Sequence, residues 1–253
     1  MQIQEQCVLV TGGARGLGAA IVRALAREGA SVVINYHRSE VQARALAEEL
    51  GPRTVALQAD VTDADAVRRL FAETQAHFGQ PVVSVVNNAL ADFRFDGDAR
   101  PKLDEISWDR FRQQLDGSLK GALNTMQAAS PAMRAAGFGR VVNIGTNLFQ
   151  YPVVPYHDYT AAKAALLSLT RTAANDLGPD GITVNMVSGG LLRVTDASAV
   201  TPEAVFDLIA SLTPVRRVTT PEEFADAALF FLSPWARAVT GQNLVVDGGL
   251  VKD

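Results

Sequence analysis

Short runs rich in valine and isoleucine alternate with longer amphipathic segments along the whole chain, and that alternation leaves few folds open. Val8-Leu9-Val10 precedes Leu17 to Arg27, Val32-Val33-Ile34 precedes Val41 to Leu50, and Val55-Ala56-Leu57 precedes Ala64 to Phe78. Val82 to Val86 then leads to Trp108 to Ala136. Val141 to Ile144, Ile182 to Val184 and Leu244 to Val246 follow, separated by a helix through residue 160 and two late helices. A strand with hardly a polar member is what a sheet needs when helices cover both its faces. Strict alternation of strand and helix therefore specifies an α/β fold with a parallel, doubly wound sheet.

The 253 residues form one domain in this reading, residues 1–253, with no linker, repeat or low-complexity tract. Helix starts are marked by Ser39-Glu40-Val41-Gln42 as a capping box, by Thr220-Pro221-Glu222-Glu223, and more weakly by Thr201-Pro202-Glu203. A net charge of −4 without any Lys/Arg-rich run excludes a nucleic-acid footprint. Cys7 is the one cysteine, so no internal disulfide forms, and its apolar neighbours make it a buried thiol. His37, His77 and His157 form no ligand cluster, and His157 is expected in a solvated loop. No apolar stretch has membrane-spanning length, the first residues lack a leader's basic and apolar regions, and a cytoplasmic protein is expected.

Thr11-Gly12-Gly13-Ala14-Arg15-Gly16-Leu17-Gly18 stands directly after the first strand and runs into a helix. Glycines at 12, 16 and 18 let the backbone turn tightly and approach a pyrophosphate, while the helix N-terminus offers free N–H groups. This context makes the sheet a dinucleotide-binding (Rossmann) one. The second strand ends in Asn35-Tyr36-His37-Arg38, without the carboxylate that would hold a ribose 2′-hydroxyl. Arg38 and Arg15 would instead attract a 2′-phosphate, which favours NADP(H).

Farther on, Tyr159 and Lys163 lie four residues apart, on one face of a helix. A phenol has a reference pKa near ~10 and needs a neighbouring cation to bring it toward the working range.

With the glycine loop and this pair in order, the chain resembles the short-chain dehydrogenase/reductase family over nearly its whole length. Asp60-Val61 matches the family's element beside the adenine ring. Asn87-Asn88-Ala89 matches the segment after the fourth strand, with Leu90 in place of glycine, and the resemblance puts Asn87, Asn88 and Ala89 by the cofactor. Val184 to Gly190 matches the stretch before the substrate loop, with Gly189 where proline is usual, and Val246-Asp247-Gly248-Gly249 matches the C-terminal turn. The family's catalytic serine, thirteen residues before the tyrosine, falls on Thr146, and its catalytic asparagine falls on Ser118. The resemblance implies that Tyr159 exchanges a proton with the substrate oxygen and that Thr146 holds the same oxygen. Lys163 would bind the nicotinamide ribose and lower the phenol's pKa, and Ser118 would anchor a water. The cofactor contacts would then be Gly12, Arg15, Gly16, Leu17, Gly18, Asn35, Arg38, Asp60, Val61, Asn88, Ala89, Lys163 and Gly190.

Residues 147–156, with Leu90, Phe93, Phe95, Leu191 and Leu192, are the expected pocket wall, and residues 190–213 the expected lid. That apolar lining favours a hydrophobic ketone or alcohol over a sugar phosphate. The pattern is similar to the β-ketoacyl-acyl-carrier-protein reductase branch, in which an acyl chain arrives on an acidic carrier. Arg134 and Arg171 are the candidate docking cations, opposed by Asp176 and Asp180. A carrier-linked reductase and a generic carbonyl reductase stand level, with a catalytically weak NADP(H)-binding sensor as the other class. Members of this family assemble as homotetramers, and the alanine-rich faces of residues 121–136 and 161–174 would allow close helix contact.

Overall fold

A computed structural model describes residues 1–90, 93, 95, 99–193, 195 and 198–252. All seven expected strands are present, in one parallel sheet of order β3-β2-β1-β4-β5-β6-β7. They are β1 (Cys7–Val10), β2 (Ser31–Tyr36), β3 (Thr54–Gln58), β4 (Ser84–Asn87), β5 (Gly139–Thr146), β6 (Ile182–Gly189) and β7 (Asn243–Val246). Helices α1 (Gly16–Arg27), α2 (Glu40–Leu50) and α3 (Ala64–Phe78) make the first crossovers. Helices α4 (Trp108–Leu115), α5 (Gly121–Ala136), α6 (His157–Leu177), α7 (Glu203–Leu212) and α8 (Pro221–Leu232) complete the layers.

Alternation along the strands divides the core in two. On β1, Val8 and Val10 join Ile21, Leu25, Phe224 and Leu232 on one face. Cys7 and Leu9 join Val85, Met133, Leu166 and Met186 on the other. Cys7 is fully buried and its thiol is pushed up to about 12 by desolvation, as a small apolar residue requires. The two edge strands depart from the two-faced burial of the rest: β3 leaves Gln58 exposed and β7 leaves Leu244 exposed.

Helix starts follow the sequence with two corrections. Thr220 does form its capping box, accepting from Glu223 N while Glu223 accepts from Thr220 N. Ser39 precedes α2 as expected, but its side chain makes no cap bond. Pro202, not Thr201, is the N-cap of α7. Asp63 caps α3 by accepting from Asp65 N at 2.8 Å and Ala66 N at 3.2 Å, a signal the sequence reading passed over.

The chain winds from β1 out to β3 and then returns to place β4 beside β1. That reversal opens a crevice at the carboxyl ends of β1 and β4, the place where open α/β sheets take ligands. No described helix is long and apolar enough to cross a membrane.

Candidate active site at the carboxyl edge of the sheet

The glycine loop leaves β1 at this crevice. Gly12 and Gly16 adopt left-handed backbone, with φ of 62° and 52°, a region open to glycine at little cost. At Gly18 the constraint is space: an added Cβ would lie 2.2 Å from Gly12 O and 2.7 Å from Asn88 Nδ2. The loop is a cradle that any side chain would fill, ending in the N-terminus of α1, and a dinucleotide pyrophosphate fits such a cradle. Arg15 is exposed at the N-cap of α1, and Leu17 is half-buried behind the loop.

Asn88 and Ala89 support this cradle from β4. Asn88 Nδ2 donates to Thr11 O at 3.0 Å and Gly12 O at 3.1 Å, while Thr11 Oγ1 accepts from Asn88 N and Ala89 N. Thr11 is a supporting residue that sequence reasoning missed. Asn87 does not face the ribose region as the resemblance implied. Its amide donates to Asn143 and accepts from Thr125, which locks it into the interior.

Toward the adenine side, Asn35 is buried and its amide donates to Ala59 O at 3.0 Å. Its main-chain oxygen accepts from Gly13 N, so Asn35 shapes the cradle from behind. Arg38 is exposed beyond β2. Burial pushes the Asp60 carboxyl up, but bonds from Thr62 N and Thr62 Oγ1 outweigh it and hold the group below its ordinary range. Val61 is pinned by Asn124, which donates to its carbonyl at 2.8 Å.

Tyr159, Lys163 and Thr146 converge as expected. Thr146 ends β5, while Tyr159 and Lys163 share one face of α6. Tyr159 is hydrogen-bonded to Thr146. Lys163 Nζ lies 5.9 Å from the Tyr159 ring centroid and donates to Ile144 O at 2.7 Å. The expected lowering of the phenol pKa is not what this geometry gives. Desolvation pushes Tyr159 up to about 12 against the Thr146 bond, and it brings Lys163 down to about 8. Burial disfavours the charged form of both groups.

Ser118 lies in a π-helical turn, Asp116–Lys120, that joins α4 to α5, with Gly121 N donating to Asp116 O. Its hydroxyl is buried and, among the described residues, has no hydrogen-bond partner. π turns inside helices are frequent at functional sites.

Gly190 leaves β6 against the C-terminal turn. A Cβ there would lie 2.9 Å from Asn147 Nδ2 and 3.1 Å from Asp247 Cβ, and those two side chains are bonded to each other at 2.9 Å. Gly189, where the family has proline, backs onto Phe224, and a Cβ there would lie 2.9 Å from its ring. Thr195 reaches the glycine loop, 3.6 Å from where a Gly16 Cβ would stand, a contact no sequence signal marked. Positions 194, 196 and 197 of the expected lid lie outside the described residues.

The expected pocket wall divides. Phe93 and Phe95 pack on Tyr159, whereas Phe149 and Leu192 pack against the cores. His157 is the half-buried first residue of α6, not a loop residue. Arg134 pairs with Asp180 at 2.7 Å, near the start of β6. β5 is eight residues long, so roughly 25 Å separates that edge from Thr146. Arg171 stands twelve residues past Tyr159 on α6, about 18 Å along the axis. Neither arginine lies at the mouth of this site. No group of described His, Cys, Asp or Glu residues has the arrangement of a metal site.

The family model described as enoyl-(acyl carrier protein) reductase matches residues 12–251. The chain belongs to the short-chain dehydrogenase/reductase family. It is 34% identical over 245 residues to the 3-oxoacyl-acyl-carrier-protein reductase FabG of Staphylococcus aureus, covering 96% of each chain. It is 36% identical over 247 residues to a cis-4-hydroxycyclohexanecarboxylate dehydrogenase of Sinomonas cyclohexanicum, covering 97% of this chain and 96% of that one. Among solved structures, a doubly substituted short-chain dehydrogenase/reductase of Serratia marcescens superposes with a TM-score of 0.86 at 32% identity, covering 99% of both chains. The protein is thus an oxidoreductase of this family, and the family's cofactors are nicotinamide dinucleotides.

Proposed function

We propose that this protein is an NADP(H)-dependent carbonyl reductase, interconverting an apolar ketone and the matching secondary alcohol. The observation that carries the reading is the bond between Tyr159 and Thr146 beside the Lys163 ammonium, at the edge where the glycine cradle opens. Bound NADPH supplies a hydride to the carbonyl carbon. Tyr159, protonated at neutral pH because burial raises its pKa, gives its proton to the oxygen as the carbonyl π bond becomes C–H and O–H. Thr146 donates a hydrogen bond to the same oxygen. Lys163 stabilises the phenolate that remains, and a water on the Ser118 hydroxyl returns a proton from solvent. Gly190, buttressed by Asn147 and Asp247, keeps the floor of the site free of side chains.

NADP(H) follows from Arg38 and Arg15, both exposed on the side where a ribose 2′-phosphate would lie, and from the lack of a carboxylate at the end of β2. Relatives named for a 3-oxoacyl carrier substrate and for a hydroxycyclohexane carboxylate bracket the substrate class. The two versions stand level: Arg134 and Arg171 lie away from the reacting groups, and a carrier that presents its acyl group on a long arm would dock at a distance from them. We place the whole chain in one domain, in the cytoplasm, as a homotetramer. Tyr159→Phe assayed with NADPH and a reducible ketone should lose roughly 100-fold or more in turnover. Near-normal turnover would remove Tyr159 from the mechanism.

A further inference from the structure

Two aromatic rings pack on Tyr159, and a third backs them. Phe93 lies nearly flat on its face, with centroids 4.6 Å apart and planes 20° apart. Phe95 meets it edge-on, at 5.4 Å and 83°. Tyr156, the N-cap of α6, completes the group with edge contacts to Phe93 at 5.2 Å and to Phe95 at 5.8 Å. Phe93 and Phe95 also touch each other, at 5.0 Å.

Ordinary core packing does not account for these rings. Both phenylalanines lie outside the two core clusters and are only half-buried. In sequence they are the only apolar side chains between Asp92 and Asp98, a stretch otherwise of aspartate, arginine and glycine. Both rings meet one target, the side chain of Tyr159. That target is the side chain that carries the reacting proton.

The geometry points to a slot for a six-membered ring: Phe93, Phe95 and Tyr156 select a ketone whose carbonyl is borne by, or adjacent to, an aryl or cyclohexyl ring. In the free protein Phe93 closes the slot, flat on Tyr159. A substrate ring enters between the two, keeping the Phe93 face on one side and the edges of Phe95 and Tyr156 around it, which brings its carbonyl toward Tyr159 and Thr146. Stacked and edge-to-face contacts reward a rigid ring beyond its area, and a flexible alkyl chain of equal size cannot reproduce them. This inference rests on the carbonyl-reductase reading and narrows its substrate to a class.

The test compares acetophenone with 2-octanone, each reduced by NADPH, in the wild type, Phe93→Ala, Phe95→Ala and Phe93→Leu. The wild type should favour acetophenone in kcat/KM, and each alanine variant should lose roughly tenfold of that preference, mainly through KM. Phe93→Leu keeps apolar bulk without a flat face, so it should lose most of the preference while melting like the wild type. A binding readout free of turnover accompanies it. Saturation-transfer NMR of benzamide should show contact with the wild type and a weakened signal with Phe93→Ala. Preference for 2-octanone in the wild type, or equal changes on both ketones in the variants, overturns the ring slot while leaving the reductase reading intact. Failure of every ketone to react, with NADPH still bound, overturns both.

Discussion

The glycine cradle and the aromatic slot stand at the same edge of the sheet, yet they are built from different parts of the chain. The cradle is backbone: positive φ at Gly12 and Gly16, no room for a Cβ at Gly18, and carbonyls tied to Asn88. The slot is side chain: two phenylalanine rings on one tyrosine, backed by the ring of Tyr156. A backbone site recognises what its ligands share, and a side-chain site recognises what distinguishes them. A single fold can therefore keep one cofactor and change substrates by altering loop residues.

The contrast fails most plainly if the cradle tolerates a side chain. Gly18→Ala should weaken NADPH binding by roughly 100-fold, because its methyl group collides with the Gly12 carbonyl. Isothermal titration checks this, and wild-type affinity would show that the loop relaxes and that backbone shape is not what binds. Arg38→Ala sharpens the comparison from the adenosine side, since under the proposed reading this side chain serves the 2′-phosphate and not the cradle. NADPH affinity should fall about tenfold with NADH affinity unchanged, the loss expected for one exposed charge-assisted contact. A parallel loss for both cofactors would make Arg38 a general support and remove the argument for NADP(H).

Lys163→Met tests the buried amine that lies between the two regions. Folding lowers its pKa from 10.5 to about 8. Between those values the unfolded chain holds a proton that the folded chain has released, so wild-type stability rises with pH across that window. The melting temperature of the wild type should therefore climb relative to Lys163→Met as pH goes from 8 to 10.5, while the variant shows no turnover. A flat difference would mean that the folded amine titrates normally. The smallest effect belongs to Ser118→Ala. Removing this hydroxyl should lower turnover by less than roughly fivefold if a water relay passes there, with the melting temperature little changed. Unchanged turnover would take Ser118 out of the proton path.

The sequence carried the frame because the inner strands had to be apolar on both faces, and the loop glycines had to stand where φ is positive, as at Gly12 and Gly16, or where space is lacking, as at Gly18. Seven strands, the cradle and the shared face of Tyr159 and Lys163 follow from local pattern and spacing, while Thr146 was marked by the family resemblance alone. Residues that act through long-range contacts were not legible. Asn35 and Asn87 carry the residue type of cofactor contacts, but their amides are committed to Ala59, Asn143 and Thr125. Arg134 and Arg171 have the charge of a docking site but stand far down the sheet from the reacting groups.

By itself, then, the chain determined its parallel sheet, its dinucleotide loop and its phenol–amine pair, since these depend on periodicity and on distances of a few residues. Only the tertiary structure decided what surrounds that pair. It raised the phenol's pKa by burial, set the buried Ser118 hydroxyl in a π turn beside α6, and laid Phe93 on Tyr159. The physical reason is that desolvation and ring stacking depend on which distant segments share a volume, and no local pattern records that.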